Sequence, residues 1–135
     1  MAVMLVPSHA RWSFPAGSAS LTQFQFVTLN SSGQIVTPAT SGVYCFVLDD
    51  APALSGSTIT HDMPTGGYSI GTNYGVVAPT ICFMKVISGV SLATIGTAVT
   101  NDTNGHAVAA LGSAVVLGYT IAASNSGDII TLAPA

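Results

Sequence analysis

Three histidines, one adjacent pair of carboxylates and a scatter of hydroxyls are the groups from which this chain would have to build an active or metal site. His61 and Asp62 are neighbours, but adjacent residues on a strand point to opposite faces, so they do not form a direct His-Asp couple. His106 stands at a hairpin position that another copy of the same motif fills with Gln34, which reads as a solvated polar site. Neither of these, nor His9, comes with the converging ligands that a metal ion needs. Asp49-Asp50 end an apolar run and lead into Pro52. Paired acids there mark a turn, whereas a calcium loop spaces its acids alternately and closes with a Glu, and the chain contains no Glu. Ser and Thr are plentiful, yet no Gly-x-Ser-x-Gly elbow, phosphate loop or dinucleotide glycine fingerprint is spelled out, and Gly66-Gly67 with Gly71 are too sparse to make one. No acid and base come with an orienting third group. The expectation is that the protein is not an enzyme and carries no metal or cofactor.

The elements that would hold these residues follow a strand and turn grammar. Short segments rich in Val, Ile, Thr and aromatics are broken every 8 to 12 residues or so by Gly, Asn, Ser or Pro. Strands are predicted over Phe24 to Leu29, Gln34 to Thr37, Val43 to Leu48, Thr58 to His61, Gly75 to Val77, Ile81 to Ile87, Ala98 to Thr100, His106 to Ala109, Val115 to Ile121 and Asp128 to Leu132. No segment sustains a helical period between capping signals. The chain also repeats itself: the ten residues Val27 to Val36 align with Val99 to Val108 at an offset of 72, and Ser55 to Thr60 align with Ser126 to Thr131 at an offset of 71. Within each copy, Asn30 to Gly33 and Asp102 to Gly105 read as hairpin loops, with Gly33 and Gly105 supplying the positive φ.

These signals predict an all-β fold, a compact β-barrel or β-sandwich built from two related strand units over about 24–61 and 96–132. A single domain, 21–135, is expected to carry an extended N-terminal arm, 1–20, and an excursion loop, 62–80. The arm holds Arg11, Trp12 and Phe14 without clear periodicity, and the loop holds Tyr68 and Tyr74; aromatics so placed read as contacts for a partner surface. Cys45 and Cys82 each sit alone in an apolar run, the usual setting of a buried free thiol.

Charge narrows the function further. Only 5% of the 135 residues are charged, against a usual share of about 25%. Two cations and a net charge of -3 leave nothing to neutralise a run of phosphates, so nucleic acid is not an expected partner. Apolar runs stop well short of the roughly 20 residues that span a bilayer, and Met1 to Val6 lack the charged lead of a secretion signal, so no membrane role is expected either. A surface this poor in mixed charge is predicted to be solvated by Ser, Thr, Asn and Gly, or covered by neighbouring subunits.

The wording of the repeat, Phe26 to Thr60 and then Gly96 to Leu132, resembles the small head-decoration or cement proteins of tailed bacteriophages. The matching positions are Gly33, Gly96, Val99, Thr100, Gly105, Ala107, Val108, Gly118 and Gly127, and the likeness covers about residues 24–132. Phe46 to Leu48 depart from it, standing where that family tends to place a glycine, and residues 1–20 and 62–80 have no matching family wording. The resemblance implies a structural virion protein, made in the bacterial host cytoplasm, that binds the outer surface of a phage capsid. It implies the major capsid protein as partner, bridged and stabilised at junctions between its subunits, and self-association as a homotrimer or dimer. A receptor- or glycan-binding virion module, with Tyr68 and Tyr74 stacking on sugars, is the competing expectation.

Overall fold

The computed structural model describes residues 11–52, 67–79 and 81–135, and all regular structure among them is β. Ten strands run in chain order: β1 Arg11–Pro15, β2 Phe26–Leu29, β3 Ile35–Val36, β4 Phe46–Leu48, β5 Asn73–Val77, β6 Met84–Ile87, β7 Ala98–Asn101, β8 Ala107–Ala109, β9 Gly118–Thr120 and β10 Ile129–Pro134. They form two five-stranded sheets, ordered β1-β5-β4-β2-β3 and β6-β10-β9-β7-β8, with every strand pair antiparallel. The two sheets make a β-sandwich and not a closed barrel, because each keeps two edges. The predicted strand Thr58 to His61 lies outside the described residues, as do His9 and His61.

The second sheet is the first one written again. Adding five to each strand number converts one order into the other, and the register repeats as well: Thr28 faces Val36 as Thr100 faces Val108. Both β2–β3 and β7–β8 turn through the same loop. Asn30 Oδ1 accepts the N–H of Ser32 and of Gln34, both at 2.9 Å, and Asp102 Oδ1 accepts those of Asn104 and His106, both at 2.8 Å. A side-chain oxygen thus satisfies two amides that the turn leaves unpaired. Gly33 and Gly105 close these loops at φ 74° and 79°, a region in which a Cβ is strained.

The sequence placed the end of the first unit differently. Ser55 to Thr60, aligned with Ser126 to Thr131, lie outside the described residues, and the strand that occupies the place of β10 in the first sheet is β5. β5 contains the strand predicted over Gly75 to Val77, inside the segment expected to be an excursion loop. The arm likewise contributes β1, which pairs along its whole length with β5, from Arg11 opposite Val77 to Pro15 opposite Asn73. Trp12 and Phe14 alternate with Arg11 and Ser13, which gives β1 one apolar side, and Pro15 sits at the strand end, where its missing N–H costs least.

Two cores result. Phe26, Cys45, Val47 and Val77 of the first unit pack with Met84, Val86, Val99, Ala107 and Leu132 of the second sheet, with Leu92 and Leu117 filling in from its loops. On the other side of the first sheet, Val27, Ile35, Leu48, Tyr74 and Val76 are covered by Ala16, Leu21 and Tyr68 from the chain's own loops. Alternation along the strands accounts for the split: Phe26 points inward and Val27 outward, Val47 inward and Leu48 outward.

The equivalent positions show how the sheets are related. Val27 and Ile35 lie in the outer core, whereas their counterparts Val99 and Ala107 lie between the sheets. Val47 lies between the sheets, whereas its counterpart Tyr119 is 40% exposed. The sheets are therefore stacked in the same sense, the inner side of the first on what would be the outer side of the second.

Candidate interaction surfaces

At the free edge of the first sheet the arm residues and the acidic pair come together. Arg11 Nη1 donates to Asp49 Oδ2, and Nη2 donates to Asp50 Oδ1 at 3.2 Å. The hydrogen bond to Asp49 raises the Arg11 pKa above its ordinary value, and burial opposes it. Asp50 reaches further: its Oδ2 accepts the Gly75 N–H at 2.6 Å, and its carbonyl accepts the Tyr68 hydroxyl at 2.6 Å. Gly75 is required by space, since a Cβ there would stand 2.7 Å from Arg11 Nη2 and 3.0 Å from Asp50 Oδ2. Asp49-Asp50 thus act as an anchor for β1, a role beyond the turn expected of them, and Arg11 is held by its own chain.

Tyr68 and Tyr74 are not surface contacts. Both are buried, with ring centroids 4.7 Å apart in an edge-to-face arrangement, and Tyr74 Oη accepts the Ser69 N–H at 2.9 Å. Burial pushes the Tyr68 phenol up from its ordinary pKa. Their rings cover the outer side of the first sheet and have no free face for a sugar or a partner. The sequence showed two tyrosines in a Gly- and Asn-rich loop; it did not show that the loop folds back over Val76 and Leu48.

Trp12 remains open, at 43% exposure, while Phe14 is half-buried against the outer core. Phe46 gathers the aromatics: its ring lies 6.0 Å from Trp12, 5.9 Å from Phe14 and 5.8 Å from Tyr44, centroid to centroid. Tyr44 is exposed to a similar degree as Trp12, so the outer side of the first sheet ends in an aromatic rim. Such rims favour partner contact because aromatics bury much area at small conformational cost.

A second apolar surface went unnoticed in the sequence. The outward strand positions of the second sheet are Lys85, Ile87, Ala98, Thr100, Val108, Tyr119, Ile129, Thr131 and Ala133, of which Lys85 alone is charged and Thr100 is buried. Phe83 and Ile121, just beyond β6 and β9, are exposed beside them. The cue was present in the repeat, where the position of buried Val47 recurs as Tyr119. A third apolar feature is the end of the second sheet at the start of β7, where Ile95 in the preceding loop and Leu111, 80% exposed, after β8 meet solvent.

The thiols are inward. Burial pushes Cys45 up to about 12 and raises Cys82 as well, so neither is poised as a nucleophile at neutral pH. His106 offers its backbone N–H to Asp102 in the hairpin loop, and no helix among the described residues is long and apolar enough to cross a membrane.

The class of the fold is a two-sheet, all-antiparallel β-sandwich made from an internal repeat. Among solved structures the chain is similar to the N base of the head fibre protein gp8.5 in bacteriophage phi29, with a TM-score of 0.57 and 19% identity over 93% of this chain and 94% of that one. The two share a fold. No family model and no curated protein matches the chain, so the decoration-protein resemblance rests on the sequence wording alone.

Proposed function

We propose that this chain is a structural component of a phage head, a decoration or cement protein that binds the outer capsid surface and bridges major capsid subunits. The observation that carries the reading is the fold shared, over nearly the whole of both chains, with a protein described as the base of a phage head fibre. The near-absence of charge supports it, because subunit interfaces deplete charged residues at their centres. The protein acts by packing and not by chemistry, and its partners are the major capsid protein and further copies of itself.

Residues 11–15 are not part of a free arm along the shell, since β1 is committed to β5 and Arg11 to Asp49 and Asp50. Shell contact falls instead to the apolar tip formed by Ile95 and Leu111, which project from loops at one end of the second sheet. Many weak tips engaged across one lattice give avidity without a large single interface. The test is co-sedimentation of the purified protein with expanded heads that lack it. Saturable occupancy and a raised rupture temperature of the heads are expected, with occupancy falling at least tenfold for Leu111→Asp. Heads that neither bind the protein nor gain stability would remove the reading.

A further inference from the structure

We infer that the open side of the second sheet is a self-interface, which packs on the aromatic rim of the first sheet of another copy in a head-to-tail contact. The inference names the surfaces behind the self-association proposed above and rests on the stacking of the two sheets. In the first sheet, the side bearing Phe26, Val47 and Val77 is buried by the sheet that follows it in the chain. In the second sheet, the same side bears Ala98, Tyr119 and Ala133, and no further sheet among the described residues covers it. The molecule itself shows what covers such a side: the outer side of a like sheet.

Another copy offers one. The outer side of its first sheet is closed at one end by Ala16, Leu21 and Tyr68 but ends in Trp12, Tyr44 and Phe46, which remain partly or largely open. Trp12 lies opposite Val76 in the register, and opposed residues share a face, so the rim belongs to the side that the repeat calls for. Chemistry agrees, since Tyr119, Ile129 and Phe83 on one surface and the aromatics on the other set two apolar patches together with Lys85 as the single charge among the strand positions. Lys85 lies within the patch, where an aromatic ring from the rim gives its ammonium a π face.

The two surfaces differ, so the contact is heterologous: each copy presents an open side at one pole and a rim at the other, and copies add in one direction until a ring closes. Heterologous contacts have a distinctive signature in mixing. Ile129→Asp damages only the open side and Trp12→Asp only the rim, and both residues are largely exposed, so both variants should fold. Circular dichroism and thermal unfolding check this, and Tyr119→Lys serves as a second open-side variant.

Sedimentation velocity at micromolar concentration is expected to show wild type as a closed oligomer and each variant alone as monomer. An equimolar mixture of Ile129→Asp and Trp12→Asp should give a one-to-one pair, because one intact junction survives between them. A monomeric wild type, variants that assemble like wild type, or a mixture that stays monomeric would each overturn the inference. The head-binding assay is a separate readout. A monomer that still saturates heads defeats the self-interface alone, and an oligomer that ignores heads defeats the capsid reading alone.

Discussion

The two halves of this molecule share strand order, register and turn chemistry, yet one half covers its outer side and the other leaves it bare. One connection contributes to the cover of the first half. Twenty-four residues, 49–72, join β4 to β5, whereas eight, 121–128, join β9 to β10. The longer connection supplies Tyr68, which covers the outer core together with Ala16 and Leu21 from the connection between β1 and β2. A duplicated unit needs some such asymmetry, for two like sheets stacked in the same sense always leave one side of each without a partner.

The comparison breaks most visibly through the core that both halves share. Phe26 is fully buried between the sheets, and Phe26→Ala is expected to cost about 3–5 kcal/mol in chemical denaturation. Tyr68→Phe, confined to the outer core of the first half, removes one hydrogen bond to the Asp50 carbonyl and should cost about 1 kcal/mol. Both variants should unfold in a single transition. Two transitions for Phe26→Ala would mean that the sheets are separable units, which the shared core does not allow.

Gly33 and Gly105 sharpen the comparison, because they occupy the same place in the same turn. Alanine at Gly33 meets nothing within 4 Å, so only its φ of 74° opposes the substitution, at about 1–2 kcal/mol. At Gly105 the φ is similar, but a Cβ would stand 2.5 Å from the Phe26 carbonyl oxygen, and the Phe26 N–H donates to the Gly105 carbonyl at 2.7 Å. Overpacking against backbone adds about 1–3 kcal/mol. Equal losses of thermal stability in the two variants would show that the second hairpin is not clamped against the first sheet.

Cys45 and Leu117 are likewise counterparts in the repeat, and both face the shared core. The Cys45 thiol titrates at about 12 when folded, against an ordinary 9.0, because burial disfavours the thiolate. Below pH 9 both states hold the proton and the group is neutral to stability's pH dependence. Above it the unfolded state releases the proton while the folded state keeps it, so stability should fall as pH rises from about 9 to about 12. In Cys45→Ala that slope should be shallower, and an unchanged slope would place its origin elsewhere.

Much of this was legible in the residues. The hairpins were fixed by Asn30, Gly33, Asp102 and Gly105, whose chemistry is local, and the strands around them alternate as their burial requires. What was not legible depended on long-range pairing. The strand over Gly75 to Val77 could be read from its own residues, but its place between β1 and β4 could not. Arg11 to Pro15 is an edge strand whose partner lies some sixty residues away, and nothing in its own composition names that partner. Tyr68 and Tyr74 looked like surface aromatics for the same reason: the sheet they cover is assembled from elsewhere in the chain.

The smallest expected effect is the most direct test that the two hairpins are one device. Asn30 and Asp102 make the same pair of side-chain hydrogen bonds, one as a neutral amide and the other as a carboxylate. Asp102→Asn should therefore change stability by no more than about 0.5 kcal/mol, within the range of surface substitutions that preserve their contacts. Asp102→Ala should cost about 1 kcal/mol or more, because the amides of Asn104 and His106 lose their acceptor. A loss in Asp102→Asn as large as in Asp102→Ala would mean that the charge matters and not the geometry, and the second turn would then be doing something that the first does not.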